Sequence, residues 1–138
     1  MKCKQGGSRQ RGLTLIELLI TLAILGILTS VAYPNYTQQV RESHRMIALG
    51  DLLEMQLELE RTYSSGYNFA SVISGGSCTV CESQVNRYQF EVVSSAGAAY
   101  TIKAIAQTTT RQSDDSCLEA DKTMSLTSNG DVTPLACW

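Results

Sequence analysis

Residue types that build common active sites are scarce in this chain of 138 residues. Histidine and tryptophan occur once each, and proline and phenylalanine twice each. The single histidine, His44, excludes a zinc site made of histidines, and its polar neighbours predict a solvated side chain. No nucleophile–base–acid arrangement, phosphate-binding glycine loop or metal-ligand cluster is recognisable. The sequence therefore gives no reason to expect an enzyme or a cofactor.

Positive charge is scarce after the first twelve residues. That segment contains no acid and four cations, which are Lys2, Lys4, Arg9 and Arg11. From Leu13 onward there are seven lysines and arginines and thirteen acids, a net charge of −6 before the terminus is counted. The basic start predicts a cytoplasmic N-terminus under the positive-inside rule, with the C-terminal part across the membrane. An acidic outer domain without a basic stripe predicts no direct nucleic-acid binding.

One long hydrophobic run, LTLIELLITLAILGILTSVA, follows the basic segment at residues 13–32. Twenty helical residues at about 1.5 Å each span about 30 Å, the thickness of a bilayer's hydrocarbon core. A secretory signal peptide is an alternative, with Ser30-Val31-Ala32 as a loose cleavage site, but its apolar stretch is shorter. The run is therefore predicted to be a membrane anchor.

Glu17 is an acid inside this anchor, which contains no lysine or arginine. An isolated carboxylate there costs about 2.5–3.5 kcal/mol on insertion scales. Cleavage after Gly12 would create a positive α-amine on Leu13, about 6 Å along the helix axis from Glu17. Pairing with this amine, or with that of a neighbouring subunit, would remove the cost of burying the charge alone.

The segment Arg11-Gly12-Leu13-Thr14-Leu15-Ile16-Glu17 resembles the processing motif of type IV pilins and their type II secretion relatives. The resemblance implies that Gly12 ends a leader peptide and that Leu13 becomes the N-methylated first residue, where the family usually has Phe. It assigns Glu17 to subunit docking. It also implies three segments, namely a leader at 1–12, the transmembrane half of a helix at 13–33, and a head at 34–138.

Pro34 matches the position where pilin helices carry a proline. A proline removes one backbone hydrogen bond, so we predict a kink there, with the end of the anchor as the alternative. Gly26 and Ser30 form a small-residue strip that would let neighbouring helices approach closely.

The chain from Tyr36 to Tyr63 is rich in helix formers and predicts an amphipathic continuation of the helix. Its expected sheet-facing stripe comprises Val40, Ile47, Leu53 and Leu57, widened by Met46, Leu49 and Leu52. The remaining surface is assigned to charged residues, which are Arg41, Glu42, Arg45, Asp51, Glu54, Glu58 and Arg61.

Residues 64–85 are rich in serine and glycine and are predicted to form a loop. Alternating apolar residues predict strands at 88–93, 99–106 and about 122–126. Asn129-Gly130 is a hairpin signal, and Pro134 limits any returning strand at 131–135 to a sheet edge. The expected fold class is α+β, with one long N-terminal helix packed on a small antiparallel sheet, the type IV pilin fold.

Four of the five cysteines lie beyond the anchor, which suggests disulfides in an oxidising compartment. Cys78-Thr79-Val80-Cys81 predicts a local structural disulfide, although its spacing also occurs in redox motifs. A bond between Cys117 and Cys137 would close a loop of about twenty residues, worth about 3 kcal/mol. It resembles the disulfide-bounded C-terminal region of type IVa pilins. From the residues alone all three pairings stay open, and zinc is not expected.

The leading hypothesis is a structural subunit, a minor pilin, of a type IV pilus that supports motility, adhesion or DNA uptake. The resemblance implies three kinds of partner, which are other pilin subunits, a prepilin peptidase and an inner-membrane assembly platform. Before assembly the subunit would be a single-pass inner-membrane protein with a periplasmic head, and afterwards part of an extracellular fimbrium. The alternatives are a type II secretion pseudopilin and a membrane-anchored periplasmic thiol–disulfide protein that uses Cys78 and Cys81.

Overall fold

The computed structural model describes residues 12–138, so the basic residues Lys2, Lys4, Arg9 and Arg11 lie outside the described residues. It begins with helix α1, Leu15–Arg61, of 47 residues. Thr14 caps this helix, since its Oγ1 accepts a hydrogen bond from the backbone N–H of Glu17 at 3.3 Å. Thr14 and Glu17 have the spacing of a capping box, which explains why the helix starts here.

The chain divides into two compact units, and residues 12–37 are the described part of the first. None of its side chains from Leu13 to Tyr36 is buried, and the helix contains one stretch apolar enough to cross a membrane. The hydroxyl groups of its polar residues donate to carbonyls three or four residues earlier in the helix, as seen for Thr21, Thr29, Ser30 and Thr37. Such internal bonds leave the helix surface suited to an apolar environment.

Helix α1 does not end at Pro34 but continues to Arg61. The carbonyl of Pro34 accepts a hydrogen bond from Thr37 Oγ1 at 2.9 Å. Because proline has no N–H, the carbonyl that loses its helical donor is that of Ser30, four residues earlier. The predicted kink remains a prediction.

The second unit, Gln38–Trp138, combines the rest of α1 with a four-stranded antiparallel sheet, whose strands lie side by side in chain order. The four strands are β3 Tyr88–Val93, β4 Thr101–Ala106, β5 Thr123–Thr127 and β6 Val132–Thr133. The predicted α+β class is confirmed. The short β6 stops before Pro134 and lies at the sheet edge, the position to which a proline restricts a strand.

The sheet meets only part of the predicted stripe of α1: Leu49 and Leu52 are buried as expected, but other members of the stripe are not. Residues Ala48, Leu49, Leu52, Met55 and Leu59 are buried in the core. Met46, Leu53 and Leu57, which we assigned to the sheet side, are 65%, 53% and 61% exposed, and Ile47 is also exposed. Two apolar stripes share the helical spacing of four, three and four residues, one at positions 48, 52, 55 and 59 and the other at 46, 50, 53 and 57. Periodicity alone could not tell which stripe meets the sheet.

Two charged residues assigned to the surface of α1 are instead buried or largely covered. Asp51 is buried and accepts hydrogen bonds from the backbone N–H groups of Glu82 and Ser83 at 2.8 and 2.9 Å. Arg45 pairs with the buried Asp115 at 2.6 Å. The carboxylates of Asp51 and Asp115 each gain a partner that is distant in sequence, so a local pattern could not reveal their burial.

The predicted loop at 64–85 contains local structure that we did not expect. A 3₁₀ turn, Phe69–Ser71, precedes a hairpin of β1, Ile73–Ser74, and β2, Ser77–Cys78. Gly75 and Gly76 connect the two strands with φ values of 60° and 80°. Two residues with positive φ are the requirement of a type I′ hairpin turn, so the Gly-Gly pair was a usable signal.

Candidate assembly site

Gly12 and Leu13 precede the helix and are exposed. The bond between them lies before the capping residue Thr14, outside the hydrogen-bonded turns of α1. Irregular, exposed backbone is where proteases cut, so this bond is accessible to a peptidase.

Glu17 lies in the first turn of α1, and its side chain is exposed along with the rest of the described N-terminal unit. Its backbone N–H donates a hydrogen bond to Thr14 Oγ1. No cation among residues 12–138 pairs with the Glu17 carboxylate. The first turn of a helix also favours an acid, because the N-terminal end of the helix dipole is positive.

The apolar surface between Leu13 and Tyr36 is large and continuous. Leu15, Ile16 and Ile27 are among its members, with more than half of each side chain exposed. An exposed apolar surface of this extent needs lipid or other apolar helices around it. Tyr33 and Tyr36, at its C-terminal end, are about 70% exposed and line a shallow apolar groove with Thr29 and Ala32. Tyrosines with an apolar body and a polar tip suit a membrane–water boundary.

The C-terminal disulfide joins Cys117 to Cys137, and Cys137 is buried in the core. Arg45 reaches this bond from α1, since its Nη1 donates to Asp115 Oδ1 at 2.6 Å and contacts Cys117 Sγ at 3.2 Å. The helix therefore holds the C-terminal loop through one guanidinium.

The second disulfide joins Cys78, the last residue of β2, to Cys81. The backbone immediately after Cys81 is held by Asp51, whose two carboxylate oxygens accept the Glu82 and Ser83 N–H groups. No helix begins at either cysteine, whereas redox Cys-x-x-Cys motifs take their reactivity from a helix N-terminus. The surroundings of the Cys78–Cys81 bond are those of a structural disulfide.

A buried polar cluster that sequence reasoning missed lies between α1 and the β4–β5 connection. Gln112 is fully buried, and its Nε2 donates to the carbonyl of Arg41 at 2.9 Å and to Tyr88 Oη at 3.1 Å. Burial raises the pKa of Tyr88 to about 12. His44, predicted to be solvated, is half-buried. Its pKa is lowered, mainly by burial and to a lesser degree by the positive charge of the nearby Arg87. Nothing local in the sequence marks Gln112 or Asp115 as interior residues.

Two family models match the chain. Residues 7–33 match the prokaryotic N-terminal methylation motif, and residues 34–121 match the family described as type IV minor pilin ComP, DNA uptake sequence receptor. The chain belongs to this type IV minor pilin family.

Relatives of this minor pilin include both pilins and secretion proteins. The type II secretion system core protein G of Pectobacterium carotovorum is 36% identical over 56 residues, which is 41% of this chain and 36% of that protein. The type IV major pilin protein PilA of Myxococcus xanthus is 29% identical over 97 residues, 70% and 43% of the two chains. The type IV major fimbrial protein FimA of Dichelobacter nodosus is 36% identical over 59 residues, which is 43% of this chain and 38% of that protein. The matched segment thus spans about two fifths of each of these relatives.

No solved protein structure gives a significant match to the chain. The family match over residues 34–121 covers most of the head and favours the minor pilin over the type II secretion and thiol–disulfide alternatives.

Proposed function

We propose that this minor pilin is a structural subunit of a type IV pilus. One observation carries the proposal: a methylation motif at residues 7–33 is joined to an exposed apolar helix that has a single acid, Glu17, in its first turn. Cleavage after Gly12 and N-methylation of Leu13 leave a positive amine near this acid. In a bundle of such helices the amine of one subunit neutralises Glu17 of another, and neighbouring helices replace lipid around the apolar surface.

The remaining functional assignments follow from that assembly. Residues 1–12 form a leader that a prepilin peptidase removes, and residues 13–33 hold the subunit in the inner membrane with its head in the periplasm. An assembly platform in that membrane transfers the subunit into an extracellular filament. Because the subunit works through packing, we assign it no enzymatic reaction and no cofactor.

Replacing Glu17 tests this mechanism. Glu17→Gln keeps the shape but removes the charge, so membrane insertion should be retained while incorporation into sheared surface filaments falls by at least about tenfold, a loss of about 1.4 kcal/mol. Mass spectrometry should find a methylated Leu13 at the start of the filament form. Glu119→Gln, an exposed acid of the head outside α1, is the matched control and should assemble normally. Normal assembly of Glu17→Gln, or an intact leader in filaments, would refute the proposal.

A second function, binding of DNA during uptake, is favoured by the family description over residues 34–121. Our charge-based expectation of no direct nucleic-acid binding opposes it.

The fold, however, gathers four of the seven cations beyond Leu13 around Gln112. Arg87 donates to Thr110 O at 3.3 Å, Arg45 pairs with Asp115, Gln112 bonds the carbonyl of Arg41, and Arg111 adjoins Gln112 in the chain. We propose that Arg41, Arg87 and Arg111 contact DNA phosphates.

The salt dependence of DNA binding by the full chain in detergent micelles tests this second proposal. Each lost phosphate contact should reduce the slope of log K against log salt by about 0.9 for duplex DNA. Arg87→Ala and Arg111→Ala should each show this reduction. Arg61→Ala is the matched control. Arg61 is the last residue of α1, far along the helix from Arg41, and it already pairs with Glu58 at 2.7 Å. Equal slopes for all three variants would count against the assignment.

A further inference from the structure

Strand β3 is an edge of the four-stranded sheet, and the ladder register shows which of its backbone groups point outward. Tyr88 lies opposite Ala106 and Val92 opposite Ile102. The Gln107 N–H donates to the Arg87 carbonyl directly opposite it. Hydrogen-bonded pairs alternate along an antiparallel ladder, so Gln89 and Glu91 bond to β4. The N–H and C=O groups of Phe90 and Val92 therefore point away from the sheet.

These outward groups of Phe90 and Val92 have no hydrogen-bond partner among residues 12–138. The hairpin β1–β2 lies beside β3 but forms a separate two-stranded sheet. Four backbone groups in a row, spaced as in a β-ladder, form a template for one further strand.

A groove of about 370 Å³ runs along this edge. One wall consists of residues 89–92 of β3, and the other of Phe69, Ala70, Ile73 and Gly76. An extended strand satisfies the free groups of β3 and sends alternate side chains towards Phe69 and Ile73. The intervening side chains lie beside Glu91 on the outer face of the sheet.

We propose that β3 binds an extended segment of another protein as an added strand, apolar at alternate positions and basic at the position beside Glu91. Glu91 is only partly exposed and already bonds Lys103 of β4 at 3.3 Å, so a cation on its other side would complete a row of alternating charge. This interaction does not depend on the helix-mediated assembly proposed above.

A second copy of the chain fits this edge less well. Pairing two β3 edges through the Phe90 and Val92 groups of both copies places Glu91 of one directly opposite Glu91 of the other, and like charges there are destabilising. The other sheet edge, β6, contains only two residues before Pro134.

Amide hydrogen exchange of the full chain in detergent micelles tests the proposal, with a synthetic peptide of alternating valine and lysine or threonine as the probe. At a peptide concentration about ten times its dissociation constant, exchange of the Phe90 and Val92 amides should slow about tenfold. The Gln89 and Glu91 amides are the internal control, since they already bond to β4 and should change little.

Two variants make the result specific. Ala70→Trp fills the groove and should abolish the peptide effect, whereas Ala96→Trp, in the exposed turn after β3, should preserve it. Unchanged exchange at Phe90 and Val92 on adding peptide would overturn the proposal. So would slow exchange that appears without peptide as the protein concentration rises, because the occupant would then be a second copy. An equal response of the two tryptophan variants would also reject the groove as the site.

Discussion

At the scale of single residues, three polar side chains, two of them buried and one largely covered, tie helix α1 to segments far away in sequence. Asp51 holds the backbone after Cys81, Arg45 holds the C-terminal disulfide through Asp115, and Gln112 joins Arg41 to Tyr88. Each would be costly to bury alone, and each is bonded to a specific partner instead. These contacts fix which face of α1 meets the sheet.

Replacing Asp51 by asparagine should destabilise the head. Asparagine keeps one acceptor oxygen and turns its amide group towards an N–H donor, so one buried backbone group loses its partner. We expect a loss of about 1.5–3 kcal/mol in the free energy of unfolding, measured by urea denaturation in detergent micelles. Glu54→Gln, an exposed acid nearby on the same helix, should change it by less than about 0.5 kcal/mol. Equal effects of the two variants would argue that Asp51 is not a structural anchor.

At alkaline pH the burial of Tyr88 should make the free energy of unfolding depend on pH. Its folded-state pKa of about 12 lies above the ordinary value of 10.0, so the folded chain keeps this proton longer than the unfolded chain. The resulting stability is complete below pH 10 and is lost as the pH rises towards 12, by about 2–3 kcal/mol. Unfolding free energies measured between pH 9 and 12 should therefore fall less steeply for Tyr88→Phe than for the native chain. Identical slopes would contradict this account.

At the scale of elements, sequence periodicity located the helix and the main strands but only part of the face of α1 that meets the sheet. The β3 bounds agree with the prediction at 88–93, because alternation and β-branched residues are local signals. The prediction of which α1 residues face the sheet was right for Leu49 and Leu52 and wrong for Met46, Ile47, Leu53 and Leu57, because both apolar stripes have the same helical spacing. The β1–β2 hairpin was missed, although Gly75-Gly76 marks its turn.

The residues of the candidate assembly site could be named from one local motif, and their roles remain predictions. Gly12, Leu13 and Glu17 stand in one short motif, and the spacing between Thr14 and Glu17 carries the helix cap. Asp115 and Gln112 were not predictable, since their partners Arg45, Arg41 and Tyr88 come from distant segments and meet only in the fold.

The two disulfides should contribute unequally to stability. In the chain-entropy model, the Cys117–Cys137 loop with a sequence separation of 20 is worth about 3 kcal/mol, and the short Cys78–Cys81 loop about 2 kcal/mol. Paired serine substitutions at each bond, followed by urea denaturation, should reproduce that order. Greater damage from losing the short bond would show that it organises the loop that Asp51 holds rather than only restricting the unfolded chain.

At the scale of the whole molecule, a second apolar stripe on α1 is left uncovered beside the core. It comprises Met46, Gly50, Leu53 and Leu57, with Ile47 at its border. Apolar side chains on the outer face of an otherwise packed domain mark a surface that meets other molecules. In the proposed filament, neighbouring subunits would cover it.

Charging this stripe should separate folding from assembly. Leu53→Lys and Leu57→Lys together should leave the unfolding free energy within about 1 kcal/mol, because both side chains are already exposed. Recovery of the subunit in sheared filaments should nevertheless fall sharply. Leu135→Lys, at an exposed position of the C-terminal turn, is the matched control. Normal filament recovery of the double variant would remove this face of α1 from the assembly model.

The position of the Thr14 cap has a consequence for maturation. The proposed cut lies on the leader side of that hydroxyl, so losing the leader would leave the first turn of the helix wound as before. The new amine would then sit at the positive pole of the helix, where a cation is unwelcome, and Glu17 is the nearest group able to offset it. Cleavage would therefore add a positive charge at the N-terminus of the helix without changing the conformation of its first turn.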